Sequence, residues 1–269
     1  MPRFARSLAR TAAGLIACGC LAVAAGCSGA AGPTCGTGAG AGACTRVLFV
    51  GNSYTYVNDL PGTFAQLAAS AGRPVQVAMV ASGGETLAQH AASSDSLGKI
   101  ASQDWTYVVL QEQSEIPATS AGRAEMDPAV RALAARAQAV GAVPLLFMTW
   151  AHADGLPASG LPTYEAMQEQ IDAGYLGIAD ELKVPVAPVG FTWYMVRHDH
   201  PDIELWSDDG SHPSVAGTYL AACVFYASIF RQSPEGLSFS GGIPNDEARV
   251  LQTEANDNVL KLQAQWGLR

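Results

Sequence analysis

From Arg46 onward the chain alternates short apolar runs with longer amphipathic stretches, and this alternation constrains the fold more than any other feature. Residues 47–51, 74–80, 105–110, 143–149 and 184–189 have strand length and are bounded by Gly, Pro or polar residues. Continuous apolar runs of that length suit strands buried on both faces. Between and after them, residues 60–72, 85–93, 127–141, 164–182, 215–230 and 247–265 read as helices. In the third of these, Asp127 is the expected N-cap with Pro128 at the first helical position. Val130, Leu133, Ala134 and Ala137 share one face of it, and Gly141 ends it. Regular β–α alternation predicts a parallel five-stranded sheet with helices on both faces, a three-layer α/β/α sandwich. No internal repeat or linker divides residues 45–269, which therefore read as one domain. In such sheets ligands bind beyond the carboxyl ends of the strands.

The segment upstream has a different character. Residues 1–10 carry Arg3, Arg6 and Arg10 and no acid, and an apolar stretch rich in Ala, Leu, Ile and Val follows. A basic start, an apolar run of about 16 residues and small residues at its end read as a secretory signal. The run is shorter than the roughly 20 residues of a transmembrane span. Ala24-Ala25-Gly26-Cys27 resembles a bacterial lipobox, whose Cys becomes the lipidated first residue. Leu15-Ile16-Ala17-Cys18 matches that pattern better but leaves a very short apolar region, so Cys27 is preferred. Cleavage nearby without lipid is the alternative. Residues 1–26 are thus expected to be a signal peptide and residues 27–44, rich in Gly and Ala, a flexible tether. The expected location is extracytoplasmic, as a membrane-anchored lipoprotein or a secreted protein.

Composition then narrows the partners. The 269 residues include 15 Lys+Arg and 24 Asp+Glu, with 14% charged and 49% hydrophobic. Removing three Arg and no acid with the leader leaves 12 bases against 24 acids, a net charge of −12. So acidic a chain lacks the basic footprint that binding to a phosphate backbone requires. Its apolar content is too high for a disordered chain. A monomer is expected. Cys35 and Cys44 could pair in an oxidising compartment, and Cys223, in an apolar helical run, reads as a core thiol. No Cys/His spacing resembles a zinc site, and neither metal nor organic cofactor is expected.

The strand ends carry the candidate chemistry. The first runs into Gly51-Asn52-Ser53-Tyr54-Thr55. A Ser there can present Oγ into the crevice or merely cap a helix. It is not the Gly-x-Ser-x-Gly elbow, because Thr55 stands two residues after Ser53. Near the C-terminus lies Trp206-Ser207-Asp208-Asp209-Gly210-Ser211-His212-Pro213-Ser214. On a tight turn the Asp209 carboxylate can fold back to His212 Nδ1 and leave Nε2 free to face a nucleophile. That gives a base oriented by a third group, as a serine hydrolase requires. Gly83-Gly84 lets a backbone N–H approach a ligand closely. In Gln111-Glu112-Gln113-Ser114 a Gln amide can donate to developing negative charge. Trp150-Ala151-His152-Ala153-Asp154 follows the fourth strand and is placed to line the same cleft. Trp150, Trp193 and Trp206 could offer sugar-stacking or acyl-binding surface, although core packing is the commoner role. His198-Asp199-His200 with Asp202 could be taken for a metal site but reads as a solvated loop.

Phe49-Val50-Gly51-Asn52-Ser53 and Asp209-Gly210-Ser211-His212-Pro213 together resemble the first and last blocks of the SGNH (GDSL-like) hydrolases. The resemblance, over about residues 45–230, implies a flavodoxin-like α/β/α sandwich with Ser53 as nucleophile, His212 as base and Asp209 as orienting acid. Asp208 is one residue off the spacing. Either Gly83 or Gly84 would supply the second-block donor. The family's Gly-x-Asn-Asp is absent after the third strand. Some carbohydrate O-acetylesterase relatives carry Gln-Gly-Glu there, which makes Gln111 the first candidate for the third oxyanion donor and Gln113 the second. Ser53 N–H completes the expected oxyanion hole. The implied activity is hydrolysis of carboxylic esters. The want of a long apolar lid segment favours short acyl groups on carbohydrate. The rival readings are lipid hydrolysis or acyl transfer on the same triad, and a lipid-anchored, non-catalytic ligand-binding lipoprotein.

Overall fold

The computed structural model describes residues 44–268. The leader, Cys18, Cys27, Cys35 and the tether up to residue 43 lie outside the described residues. Cys44 is disulfide-bonded.

Five strands, β1 (Thr45–Gly51), β2 (Val75–Ala81), β3 (Tyr107–Leu110), β4 (Val143–Phe147) and β5 (Val186–Ala187), form one sheet in the order β2-β1-β3-β4-β5. Every pair is parallel. β1 lies inside the sheet between β2 and β3, and its Val47, Leu48, Phe49 and Val50 are fully buried. That fits a strand with apolar side chains on both faces. The register fixes what the sheet presents at its carboxyl edge. Gly51 lies beside Ala81 and Val50 beside Leu110, so the segments leaving β1, β2 and β3 emerge together.

The helices are α1 (Ser53–Tyr56), α2 (Leu60–Ser70), α3 (Leu87–Ala92), α4 (Ser94–Ile100), α5 (Ser120–Ala139), α6 (Tyr164–Leu182), α7 (Val189–Asp199), α8 (Val215–Phe230) and α9 (Asn245–Ala255). α2, α8 and α9 pack in one layer and α3, α4, α5 and α6 in the other, with α7 touching both α6 and α8. The three-layer sandwich expected from the alternation is therefore the observed architecture. α8 is buried on all sides from Ala216 to Ile229, as an apolar helix without a polar face must be. Its Phe225 meets Phe49 and Phe147 edge-on at 5.2 and 4.9 Å, tying helix to sheet. Cys223 is buried in the same helix.

Five elements differ from the sequence reading. α5 starts at Ser120, not at residue 127, and Pro128 lies inside it. Thr119 is the cap, its Oγ1 accepting from Gly122 N–H at 3.0 Å, and buried Gly122 and Met126 extend the apolar face upstream of the proline. That packing outweighs the single hydrogen bond Pro128 withholds. The fifth strand is two residues long because Pro185 and Pro188 flank it and cannot donate to a ladder. α7 then begins at Val189. α4 was not foreseen. The last helix breaks at a π turn, Asn256–Leu260. There Trp266 Nε1 donates to Asn258 O at 2.7 Å, and Trp266 O accepts from Val186 N–H at the edge of β5. Among the described residues no helix is long and apolar enough to cross a membrane.

Candidate active site

The turn after β1 is held by a buried polar network. Gln111 Oε1 accepts from Asn52 N–H at 2.8 Å and from Thr55 Oγ1 at 2.9 Å. Gln111 Nε2 donates to Asn52 Oδ1 at 2.9 Å and to Glu112 O at 2.5 Å. A Cβ at position 51 would overlap Gln111 Oε1 and sit 2.6 Å from Thr55 Oγ1, so the close packing requires glycine. Buried His90 bonds Gly51 O through Nε2 and Ser96 Oγ through Nδ1, each at 2.8 Å. Asn52, not Ser53, caps α1, accepting from Tyr54 N–H at 3.1 Å. Ser53 Oγ is thereby left for another partner.

That partner is His212. Its Nε2 lies 2.9 Å from Ser53 Oγ, and its Nδ1 lies 2.5 Å from Asp209 Oδ2. Asp209 Oδ1 accepts from the N–H groups of Ser211 and His212, both at 2.9 Å. The His212 bond first, and then the Ser211 N–H, pull the Asp209 carboxyl down to about 2. It therefore stays ionised at any ordinary pH. Asp208 makes no such bond to His212. An imidazole between a carboxylate and a hydroxyl can accept the hydroxyl's proton while its positive charge is stabilised from behind.

The loop bearing His212 is anchored to the end of β4. Trp150 Nε1 donates to Ser211 O at 2.9 Å, Ala153 N–H to Gly210 O at 2.8 Å, and Trp206 Nε1 to Ala151 O at 3.2 Å. Tyr54 stacks on Trp150 at 4.5 Å and Trp150 on Trp193 at 4.1 Å. The Tyr54 ring meets His212 edge-on at 5.7 Å. Trp150, Trp193 and Trp206 are buried behind the loop and do not line the cleft. They brace the site from within.

Ser53 and His212 open on a cleft of about 430 Å³ that Gly83, Gly84 and Gln113 also line. Gly84 is the third residue of a turn closed by Glu85 N–H to Ser82 O, and its φ of +69° demands glycine. Gln111 does not line the cleft, and its bonds to Asn52, Thr55 and Glu112 O engage both ends of its amide. The structure places it beneath the turn, where it holds Asn52 and Thr55, and not at the cleft where a first-choice oxyanion donor was expected. Gln113 keeps a donor at the cleft. Its Oε1 accepts from Glu115 and Ile116 N–H, while Nε2 has only a long 3.4 Å contact with Ser114 Oγ.

Sequence reasoning passed over Asn52, His90 and Glu112. Asn52 and Glu112 stand inside the motif segments and His90 six residues beyond Gly84, but nothing in the sequence tells a buried polar tie from a solvated side chain. His198 and Asp199 form an exposed pair on the last turn of α7, and His200 reaches Glu254. Among the described residues no group of three or more His, Cys, Asp or Glu could hold a metal ion.

Neither a protein-family model nor a curated protein matches the sequence. Solved structures do. A protein from Slackia heliotrinireducens, provisionally described as an SGNH hydrolase, is 32% identical, with 68% of this chain and 97% of that one covered at a TM-score of 0.57. A DUF4886 family protein from Bacteroides uniformis superposes at a TM-score of 0.70 with 18% identity, covering 81% of this chain and 95% of that one. A variant of the acetylxylan esterase Axe2 from Geobacillus stearothermophilus shares the fold at 0.52 and 17% identity, over 68% of this chain and 92% of that one.

Glu112 supplies a pH-dependent test of how the strand ends are held. Its Oε1 accepts from Leu87 N–H at 3.1 Å and Gln113 N–H at 2.7 Å, joining the start of α3 to the loop after β3. Oε2 is buried without a partner, and burial pushes the carboxyl up to about 7. The folded protein therefore holds this proton more tightly than the unfolded chain does. The resulting stabilisation is full below the unfolded value near 4.5 and is lost as pH rises through about 7. Urea unfolding at about pH 5 and pH 8 should show the advantage of wild type over Glu112→Gln shrinking by about 2–3 kcal/mol, at about 1.4 kcal/mol per pH unit. A pH-independent difference would contradict the buried, protonated carboxyl.

Proposed function

The chain belongs to the SGNH hydrolase family, and on that premise we propose that it is an exported serine esterase removing short acyl groups, chiefly O-acetyl, from carbohydrate. The observation that carries this reading is the continuous relay Asp209–His212–Ser53, with contacts of 2.5 and 2.9 Å, at the mouth of the cleft. Ser53 Oγ attacks the ester carbonyl as His212 Nε2 takes its proton. The carbonyl π pair moves onto oxygen, and the tetrahedral oxyanion lies within reach of Ser53 N–H, the Gly83 or Gly84 N–H and Gln113 Nε2. One such donor is typically worth about 3 kcal/mol. His212 then protonates the departing alcohol as its C–O bond breaks. Water, deprotonated by the same imidazole, releases the carboxylic acid and restores Ser53. Neither a metal nor an organic cofactor has a part in these steps.

The cleft lining favours a small acyl group. Apart from glycine, its residues are Asn, Ser, Tyr, Gln, Glu and His, with no aliphatic side chain. A long acyl chain would find only the Tyr54 and Tyr56 rings, and no aliphatic side chain, to replace the water it sheds, at about 0.8 kcal/mol per buried methylene. This argues against the lipase reading. Export rests on the basic-then-apolar leader, and the membrane anchor on Ala24-Ala25-Gly26-Cys27.

Purified Ser53→Ala should lose at least about 10³-fold in kcat/KM on 4-nitrophenyl acetate, in line with removal of a triad member. It should also fail to take a fluorophosphonate label that wild type accepts. A wild-type rate in the variant, or no labelling of wild type, would overturn the serine-esterase reading. Separately, Cys27→Ser should move the protein out of the membrane fraction. Unchanged fractionation would refute the lipid anchor.

A further inference from the structure

The cleft contains a second histidine–serine pair that the triad does not use. His152 Nε2 lies 2.9 Å from Ser114 Oγ. His152 sits just beyond β4 and Ser114 just beyond β3, and both face the cleft that holds Ser53. The pair is not a second nucleophile. His212 has a carboxylate on Nδ1, whereas His152 Nδ1 has no hydrogen-bond partner among the described residues. Burial is the main cause lowering the His152 pKa, so the ring is neutral near pH 7, with one nitrogen able to donate and the other to accept.

The surroundings indicate what such a ring would meet. The exposed Glu115 carboxylate lines the same wall and interacts electrostatically with His152 and with Tyr54. Tyr54 OH is 2.7 Å from Ser211 Oγ, and burial holds its pKa up at about 12, so it remains a hydroxyl. The wall thus offers a carboxylate, a neutral imidazole and hydroxyls. Such groups pair with ligand hydroxyls, which both donate and accept. Of these groups the Glu115 carboxylate repels an anionic ligand, and the net charge of −9 over the whole chain adds to that repulsion.

We propose that His152, Ser114 and Glu115 form the subsite for the alcohol half of the substrate, and that it selects esters of neutral polyhydroxylated alcohols over esters of anionic ones. The subsite rests on the serine-esterase reading and adds to it the substrate's charge and the residues that read it. A partly desolvated site built to hydrogen-bond hydroxyls rejects analogues that leave its polar groups unpaired.

The test compares full-length wild type with His152→Leu and Glu115→Gln on three acetyl esters: 4-nitrophenyl acetate, an O-acetylated methyl glucoside and the matching O-acetylated methyl glucuronoside. Wild type should favour the glucoside over the glucuronoside by at least about tenfold in kcat/KM at low salt, with the gap narrowing as salt screens the charge. His152→Leu should lower the ratio of glucoside to aryl-ester kcat/KM by about tenfold or more, chiefly through KM. Glu115→Gln should narrow the neutral-to-anionic gap severalfold. Circular dichroism of the variants separates loss of the subsite from loss of the fold. If wild type cleaves both sugar esters equally, or neither ratio moves in folded variants, the subsite is overturned while the esterase reading stands. If wild type cleaves none of the three and takes no fluorophosphonate label, the esterase reading fails and the subsite falls with it.

Discussion

Gln111 commits its whole side-chain amide to the turn beneath Ser53. Its oxygen takes Asn52 N–H and Thr55 Oγ1, and its nitrogen gives to Asn52 Oδ1 and Glu112 O. The bonds run sideways from the end of β3 to the end of β1, and they form because the parallel register sets Leu110 beside Val50. In a buried setting an unmade bond at any of these groups would cost about 1–3 kcal/mol. The turn therefore has one favourable arrangement, which frees Ser53 Oγ by giving the capping role to Asn52. Gly51 completes the tie, since a side chain there would displace the amide.

The opposite half of the relay is fixed by different means. The loop from Trp206 to Ser214 contains little regular structure, and aromatic N–H groups hold it, with Trp150 and Trp206 donating into it and out of it. Their rings stack in a column from Tyr54 through Trp150 to Trp193. Rigid aromatic packing behind and carboxylate bonds in front place an exposed His–Asp pair without burying its charge. The Asp209–His212–Ser53 contacts are thus held by a polar tie on one side and an aromatic buttress on the other. The cleft between them carries polar groups and the Tyr54 and Tyr56 rings but no aliphatic side chain.

Sequence alone reaches the sheet because β1 to β4 have long apolar runs, and it reaches α6 and α8 at their observed limits because their patterns are uninterrupted. It fails where one local rule opposes another. Pro128 looks like a helix start, yet Thr119 caps the helix two turns earlier and buried Met126 carries the apolar face across the proline. Pro185 and Pro188 cut a six-residue apolar run to a two-residue strand. At the site, the spacing of Asp209 and His212 makes their contact legible, because three residues on a turn can close only in a few ways. The role of Gln111 is not legible. A glutamine after a strand looks the same in sequence whether its amide faces a ligand or a neighbouring turn, and only the β1–β3 register decides between them.

The most direct test of this arrangement is equilibrium urea unfolding of Gln111→Ala. Removing the amide strands the N–H of Asn52 and the hydroxyl of Thr55 in a buried site. A loss of about 1–3 kcal/mol in unfolding free energy is expected, comparable to a core polar tie. Stability equal to or above wild type would contradict it, and would return Gln111 to the cleft as a group held ready for the substrate.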